Sequence, residues 1–265
     1  MRLLTFDGGF GRIEGDEVVP MGLDLVHYLA TGASDDGRSV ARADVRPLAP
    51  VPRPGKIVCI GLNYRDHALE AGLPLPEVPI LFPKFANSVI GPGETILLPP
   101  ETTEPDYEAE LAVVMGRTAR RVPVDAALGH VGGYTCANDV SARDLQNRTS
   151  QWMLGKAIDT FLPLGPVLVT PEEIPDPQAL AIRCEVNGTE LQSSSTAQMV
   201  FGVAELIASI SRTMTLEPGD VIATGTPPGV GFARTPPVWL RDGDEVTIEI
   251  ERIGRLTNPV RTTPG

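Results

Sequence analysis

The chain has 265 residues, enough for one large domain with a small appendage and a sizeable buried core. Its net charge of −12, with no basic stripe, excludes nucleic acid and an anionic membrane surface as expected partners. An anionic substrate would therefore have to be met by a local cation.

Residues 1 to 46 alternate short strand-like runs (RLLTF, GRIEGDEVVP) with turns and hold one helix candidate, LDLVHYLATG. The following PLAPVPRPG packs four prolines into nine residues, which enforces extended backbone and reads as a linker over 47–55. A small N-terminal α+β domain is expected before it. From Lys56 to the end the pattern is dominated by strands: KIVCIG, ILLP, ELAVVMG, GYTCAN, ALAIRCEVNG, GDVIATG and DEVTIEIERIG. Helical spacing is clear at Met199, Val200, Val203, Leu206, Ile207 and Ile210. The predicted class is α+β, mostly β, with a few helices, and not a Rossmann fold. Cys59, Cys136 and Cys184 are odd in number and lie in apolar runs, so they predict core residues of a reducing compartment. The first twenty residues interrupt every apolar run with charge, which predicts neither a signal peptide nor a membrane span, and a cytoplasmic protein.

Four stretches can carry chemistry. In NYRDHALEAGLP, His67 and Glu70 stand at i and i+3 of a short helix, where the carboxylate can orient the imidazole as a base. An ordinary solvated ion pair fits the same spacing. The prolines and glycine that follow, up to about residue 79, resemble a hinged lid. In DYEAELAVVMG, Asp106, Glu108 and Glu110 alternate and then enter an apolar run closed by Gly116. A strand would point all three acids one way. Two strand steps of roughly 6.6 Å at an effective dielectric near 20 give a repulsion of about 2.5 kcal/mol. Either water screens the acids or a bound cation does. Asp139 in GYTCANDVSARDLQ is the candidate third ligand, with a helix N-cap as its competing role.

Lys156 in QWMLGKAIDTFLPLGP sits among apolar residues, where it can stabilise developing negative charge or simply reach for water. The loop in GDVIATGTPPGVG offers free N–H groups to an anion but matches neither the P-loop nor GxGxxG.

Together, the glutamate pair, the aspartate of NDVSARDLQ, the lysine of QWMLGKAIDTF and the GTPPGVG loop resemble the fumarylacetoacetate hydrolase family in type, order and spacing, from about Lys56 to Val260. The resemblance implies a β-roll catalytic domain over 56–265, usually homodimeric, preceded by the small N-terminal domain of many bacterial members. It implies Mg²⁺ or Mn²⁺ held by Glu108, Glu110 and Asp139, with Asp106 outside the ligand set. It matches His67 and Glu70 to a water-activating dyad, and Lys156, Arg143, Gln146 and Thr226 to groups contacting the oxygens of a small anionic keto acid. The activity expected first is metal-dependent hydrolysis of a C–C bond in an acylpyruvate or related β-diketo acid. The same enolate chemistry also fits an oxaloacetate decarboxylase or a keto-enol isomerase. A β-roll that only binds a metal or a dicarboxylate is the reading of another class, and the intact His67 and Glu70 argue against it.

Overall fold

The computed structural model describes residues 1–34 and 37–263. The first elements are β1 (Arg2–Phe6), β2 (Gly9–Glu14), β3 (Glu17–Gly22), α1 (Leu25–Thr31) and β4 (Val40–Ala41). They are followed by β5 (Ile57–Gly61), α2 (Arg65–Glu70), β6 (Ile80–Lys84), β7 (Val89–Ile90), β8 (Ile96–Leu98), β9 (Pro105–Asp106) and β10 (Ala109–Met115). Next come α3 (Val124–Ala127), β11 (Val131–Asn138), β12 (Ser141–Ala142), α4 (Arg143–Gln146), α5 (Met153–Lys156) and β13 (Leu162–Val169). The chain ends with β14 (Ala181–Val186), β15 (Thr189–Ser195), α6 (Val203–Ser211), β16 (Val221–Ala223), β17 (Glu245–Ile250) and β18 (Gly254–Thr262).

An eleven-stranded sheet in the order β4-β3-β2-β1-β13-β11-β10-β16-β5-β6, with β7 beside β13, faces a five-stranded sheet in the order β15-β14-β17-β18-β8. The fold is thus mostly β and mixed, as the strand pattern predicts. Strand β10 runs through the middle of the large sheet between β11 and β16, and every residue of it is buried. Its two faces serve different cores. Ala109, Leu111, Val113 and Met115 pack in one apolar cluster with Ile182, Val246 and Ile248 of the second sheet, while Ala112 and Val114 pack in another with Leu3, Ile57 and Cys59. A strand covered on both sides reads as an uninterrupted apolar run, which explains ELAVVM.

Helix α1 forms where predicted: Asp24 caps it by accepting from Val26 N, and Gly32 ends it at φ 72°. Helix α6 begins later than its apolar spacing suggests, because Gly202 takes the N-cap position and its N–H is bound by Glu205 Oε2 at 2.8 Å.

The N-terminal segment is joined to the core more closely than a linker implies. Strand β1 pairs with β13, so β1 to β4 extend the main sheet. In the proline segment Ala49 and Val51 are buried, each within the cluster that holds Leu3 and Ile57. Among the described residues, no helix is long and apolar enough to cross a membrane.

Candidate active site

Glu108 and Glu110 share the parity of Ala112 and Val114, so both acids leave the chain on one side where β10 begins. Asp139 follows β11 directly. Its N–H donates to the Glu108 carbonyl at 3.0 Å, while the Asn138 side chain accepts from Glu108 N at 3.0 Å. This pairing sets the three carboxylates together, with one oxygen of each within 4.8 Å of the others, all buried. Asp139 caps no helix, since α4 starts after Ala142. Asp106 belongs to the separate strand β9 and turns elsewhere: it accepts from Gly231 N at 2.6 Å, Phe232 N at 3.1 Å and Arg143 Nε at 2.9 Å. It lies outside the ligand group, as expected.

Three buried cations surround these acids. Lys156 Nζ donates to Glu108 Oε2 and Asp139 Oδ2, both at 2.8 Å. Lys84 Nζ lies 2.7 Å from Asp139 Oδ1 and donates to the carbonyls of Val140 and Phe161 at 2.9 and 2.6 Å. Arg143 Nη2 lies 2.6 Å from Glu108 Oε1 and 2.9 Å from Asp106 Oδ2. Burial disfavours every one of these charges, and the balance differs from group to group. For Glu108, Lys156 and Arg143 outweigh burial and hold the carboxyl down at about 2. Glu110 has only a weak counterweight, so burial, with Asp139 and Glu108 beside it, pushes its carboxyl well up. Around the group, the side chains of Lys84, Arg143 and Lys156 thus stand against Asp106, Glu108 and Asp139.

The donor set suits a hard divalent cation: three carboxylates, with no thiol or imidazole among them. Asp139 Oδ1 is a buried oxygen that no hydrogen bond satisfies, with Lys84 Nζ beside it at 2.7 Å, and it keeps a lone pair for a further cation. Glu108, Glu110 and Asp139 are the residues that would hold such a cation.

His67, on α2, pairs Nδ1 with Glu70 Oε2 at 2.9 Å, and Glu70 Oε1 accepts from Gly229 N at 2.9 Å. The ring is buried while Glu70 reaches the surface, so the pair stands at the boundary between interior and solvent. With Glu70 accepting the Nδ1 proton, Nε2 is left as the basic nitrogen. The expected lid splits in two. Its helical part is fastened: the Asn63 side chain donates to the carbonyls of Phe201 and Thr224 at 3.0 and 2.8 Å, Arg65 donates to the Met199 carbonyl, and Asp66 accepts from Ser194 Oγ. Residues 71–79 carry neither helix nor strand and expose Leu73, Leu75 and Val78.

His67 opens on a cavity of about 280 Å³ whose polar lining includes Glu108, Arg143, Gln146, Lys156 and Thr226. Its apolar wall comes from Ile60, Phe82, Trp152 and Phe232. Arg143 Nη1 donates to Gln146 Oε1 at 3.0 Å, so the Gln146 amide turns its two N–H donors away from the arginine. The residues expected to touch substrate oxygens, Arg143, Gln146, Lys156 and Thr226, all line the cavity, but the guanidinium of Arg143 is spent mainly on Asp106, Glu108 and Gln146, and the Lys156 ammonium on Glu108 and Asp139. Its planar face carries the Phe232 ring, 4.6 Å from the guanidinium carbon, and that ring meets His67 edge-on at 6.4 Å between centroids. A Phe232→Ala change should cost roughly 1–2 kcal/mol through this contact. The expected result is a modest fall in melting temperature at unchanged metal affinity, because Arg143 keeps its carboxylates; scanning calorimetry and metal titration check it.

Lys84 and Phe232 escaped the sequence reading. A lysine inside PILFPKF is the usual sign of a charged edge strand, and only the pairing of β6 with β5 carries it under Asp139.

Residues 56–261 match the model of the fumarylacetoacetate (FAA) hydrolase C-terminal domain. Among curated proteins, the chain is 53% identical over 221 residues to the mitochondrial oxaloacetate tautomerase FAHD2A of Bos taurus, covering 83% of this chain and 70% of that one. It is 49% identical over 246 residues to the mitochondrial oxaloacetate tautomerase fahd2 of Xenopus laevis, with 92% and 77% covered. Among solved structures, 5-carboxymethyl-2-hydroxymuconate delta-isomerase from Mycobacterium smegmatis superimposes with a TM-score of 0.87 at 40% identity, over 99% of this chain and 100% of that one. A fumarylacetoacetate hydrolase from Exiguobacterium antarcticum gives 0.89 at 38% identity, with the same coverage. Three convergent buried carboxylates, a His67–Glu70 pair at the cavity that Glu108 lines and these likenesses along nearly the whole chain lead to one conclusion: the chain belongs to the fumarylacetoacetate hydrolase family.

Proposed function

We propose that the protein is a keto-enol tautomerase of a small 2-keto dicarboxylic acid such as oxaloacetate. The observation that carries this reading is the His67–Glu70 dyad facing a cavity wall that holds Lys156, Gln146 and Thr226. The names of the relatives support it over the hydrolysis expected first. His67 Nε2 takes a proton from the carbon next to the keto group, and Glu70 steadies the imidazolium through Nδ1. The C–H bond breaks, its electrons move to the keto oxygen, and the proton returned there makes the enol. Lys156 and the Gln146 amide oppose the negative charge on that oxygen. A divalent cation, when bound, supplies Lewis-acid polarisation of the carbonyl. Nothing in this step needs water, whereas C–C hydrolysis requires His67 to act on a water instead.

The two activities separate in one experiment. Exchange of the C3 hydrogens of oxaloacetate in D₂O, followed by NMR with metal removed and restored, should accelerate strongly and only with metal. A panel of acylpyruvates run alongside reports cleavage. Rapid cleavage without accelerated exchange would replace the tautomerase reading by the hydrolase.

We also propose a homodimer. Strand β6 ends the large sheet with Ile80 and Leu81 exposed, and α5, which packs beside it, exposes Met153 and Leu154. An open apolar edge of this kind is usually covered. Light scattering in solution checks it, and a monomer would exclude it.

A further inference from the structure

Gln192 lies on β15, in the sheet opposite the carboxylates, yet its side chain is only 1% exposed and reaches across to them. Its Oε1 accepts from Ala109 N at 2.8 Å, between the two glutamates of the ligand group. Its Nε2 donates to the Pro227 carbonyl and to Thr226 Oγ, both at 2.8 Å. The orientation of this amide is not open to choice. Ala109 N can only donate and the Pro227 carbonyl can only accept, so oxygen and nitrogen each have one possible place.

The third bond then fixes the polarity of Thr226. An N–H occupies a lone pair of Oγ, so the hydroxyl proton must be donated elsewhere. No acceptor for it exists among the described residues, and Thr226 lines the cavity that holds His67 and Lys156. The loop that carries it is pinned on the other side as well, where Gly225 N donates to Glu110 Oε2 at 2.9 Å. Gly225 stands at φ 98°, and a Cβ there would lie 2.7 Å from Asn63 Cβ, so the loop is pressed against the segment between β5 and α2 with no room to shift.

We infer that Gln192 is a positioning residue that locks Thr226 as a hydrogen-bond donor to the substrate oxygen, and thereby ties substrate binding to the strand holding the metal ligands. The identity of the substrate rests on the tautomerase reading; the locking does not. The probe is therefore oxalate, a small dianion with paired oxygens, whose binding requires no turnover. Its dissociation constant is measured by calorimetry on the Mg²⁺-loaded protein for Thr226→Val, Gln192→Met and the double variant. Each single change should weaken oxalate roughly tenfold, the worth of a hydrogen bond to a charged group. The double variant should be no weaker than either single one, because both remove the same donor. Mg²⁺ affinity should stay within about twofold throughout.

Should Gln192→Met fail to fold, Gln192→Glu keeps the shape and the bond from Ala109 N while its new carboxylate takes the Thr226 proton. It too should weaken oxalate, with no further loss on adding Thr226→Val. Oxalate binding unchanged in the Gln192 variants, or losses that simply add, would overturn the inference. The expected oxalate pattern in a protein that leaves oxaloacetate exchange unaccelerated would uphold the locking and remove the tautomerase reading alone.

Discussion

His67→Ala should keep its metal affinity and lose tautomerisation by about 10²- to 10⁴-fold, the usual contribution of a positioned general base. The imidazole supplies no ligand to the carboxylate group, so metal binding has no reason to change. The loss should be large because this imidazole is prepared: Glu70 accepts at Nδ1 and is itself held by the Gly229 N–H, which leaves Nε2 as the basic nitrogen. C3 exchange of oxaloacetate and a metal titration on the same variant give both numbers. Decarboxylation of a keto acid needs no proton removed from carbon or water, so a variant that still decarboxylates at the original rate would show that this dyad serves a different step. Near-normal exchange would remove His67 from the mechanism.

Glu110→Gln should weaken Mg²⁺ binding by more than about 100-fold, beyond the 10- to 100-fold typical of outer partners of a metal site, and should stabilise the metal-free protein at high pH. The sign follows from the Glu110 carboxyl. Burial, with Asp139 and Glu108 close by, raises it in the folded state. A raised carboxyl contributes fully to stability below its unfolded value and loses that contribution as pH climbs through the folded one. Metal-free wild type should therefore lose stability with rising pH, while the amide, which never ionises, should not. Its oxygen can still accept from Gly225 N as Glu110 does now. Metal binding to the wild type should release a proton and tighten with pH over the same interval. Calorimetric melting across pH, with and without Mg²⁺, tests all three. A metal-free variant that melts below wild type throughout would contradict the repulsion that motivates it.

The glutamate pair is legible because strand alternation and an apolar run are local properties: Glu108 and Glu110 share a side simply by counting. Asp139 was only half legible. Its position after β11 suits a cap as well as a ligand, and only the pairing with β10 brings it beside the two glutamates. Arg143 and Lys156 were recognised as site residues, but not that Glu108 would bind both of them, since that depends on how α4 and α5 fold back on β10. Gln192 left no trace at all. Nothing about LQSSS marks it as different from a surface glutamine, and its role arises from two sheets meeting some eighty residues after the strand it serves. In the proline segment composition points to a linker, and the structure adds that Ala49 and Val51 within it are buried.

That packing decides how the protein can be divided. Strand β1 covers β13 through Arg2 opposite Val169 and Leu3 opposite Leu168, and Arg2 also donates to the carbonyls of Arg252 and Ile253 near the start of β18. A chain shortened to 47–265 would keep Glu108, Glu110, Asp139 and the dyad, yet present the end of β13, which β7 does not cover, as a raw apolar edge with unpaired backbone groups. Such a fragment should be recovered as aggregate rather than as a smaller enzyme, and sedimentation of the truncated chain would show it. What composition presents as an accessory serves as the selvage of the main sheet, the finished border that keeps it from joining its neighbours.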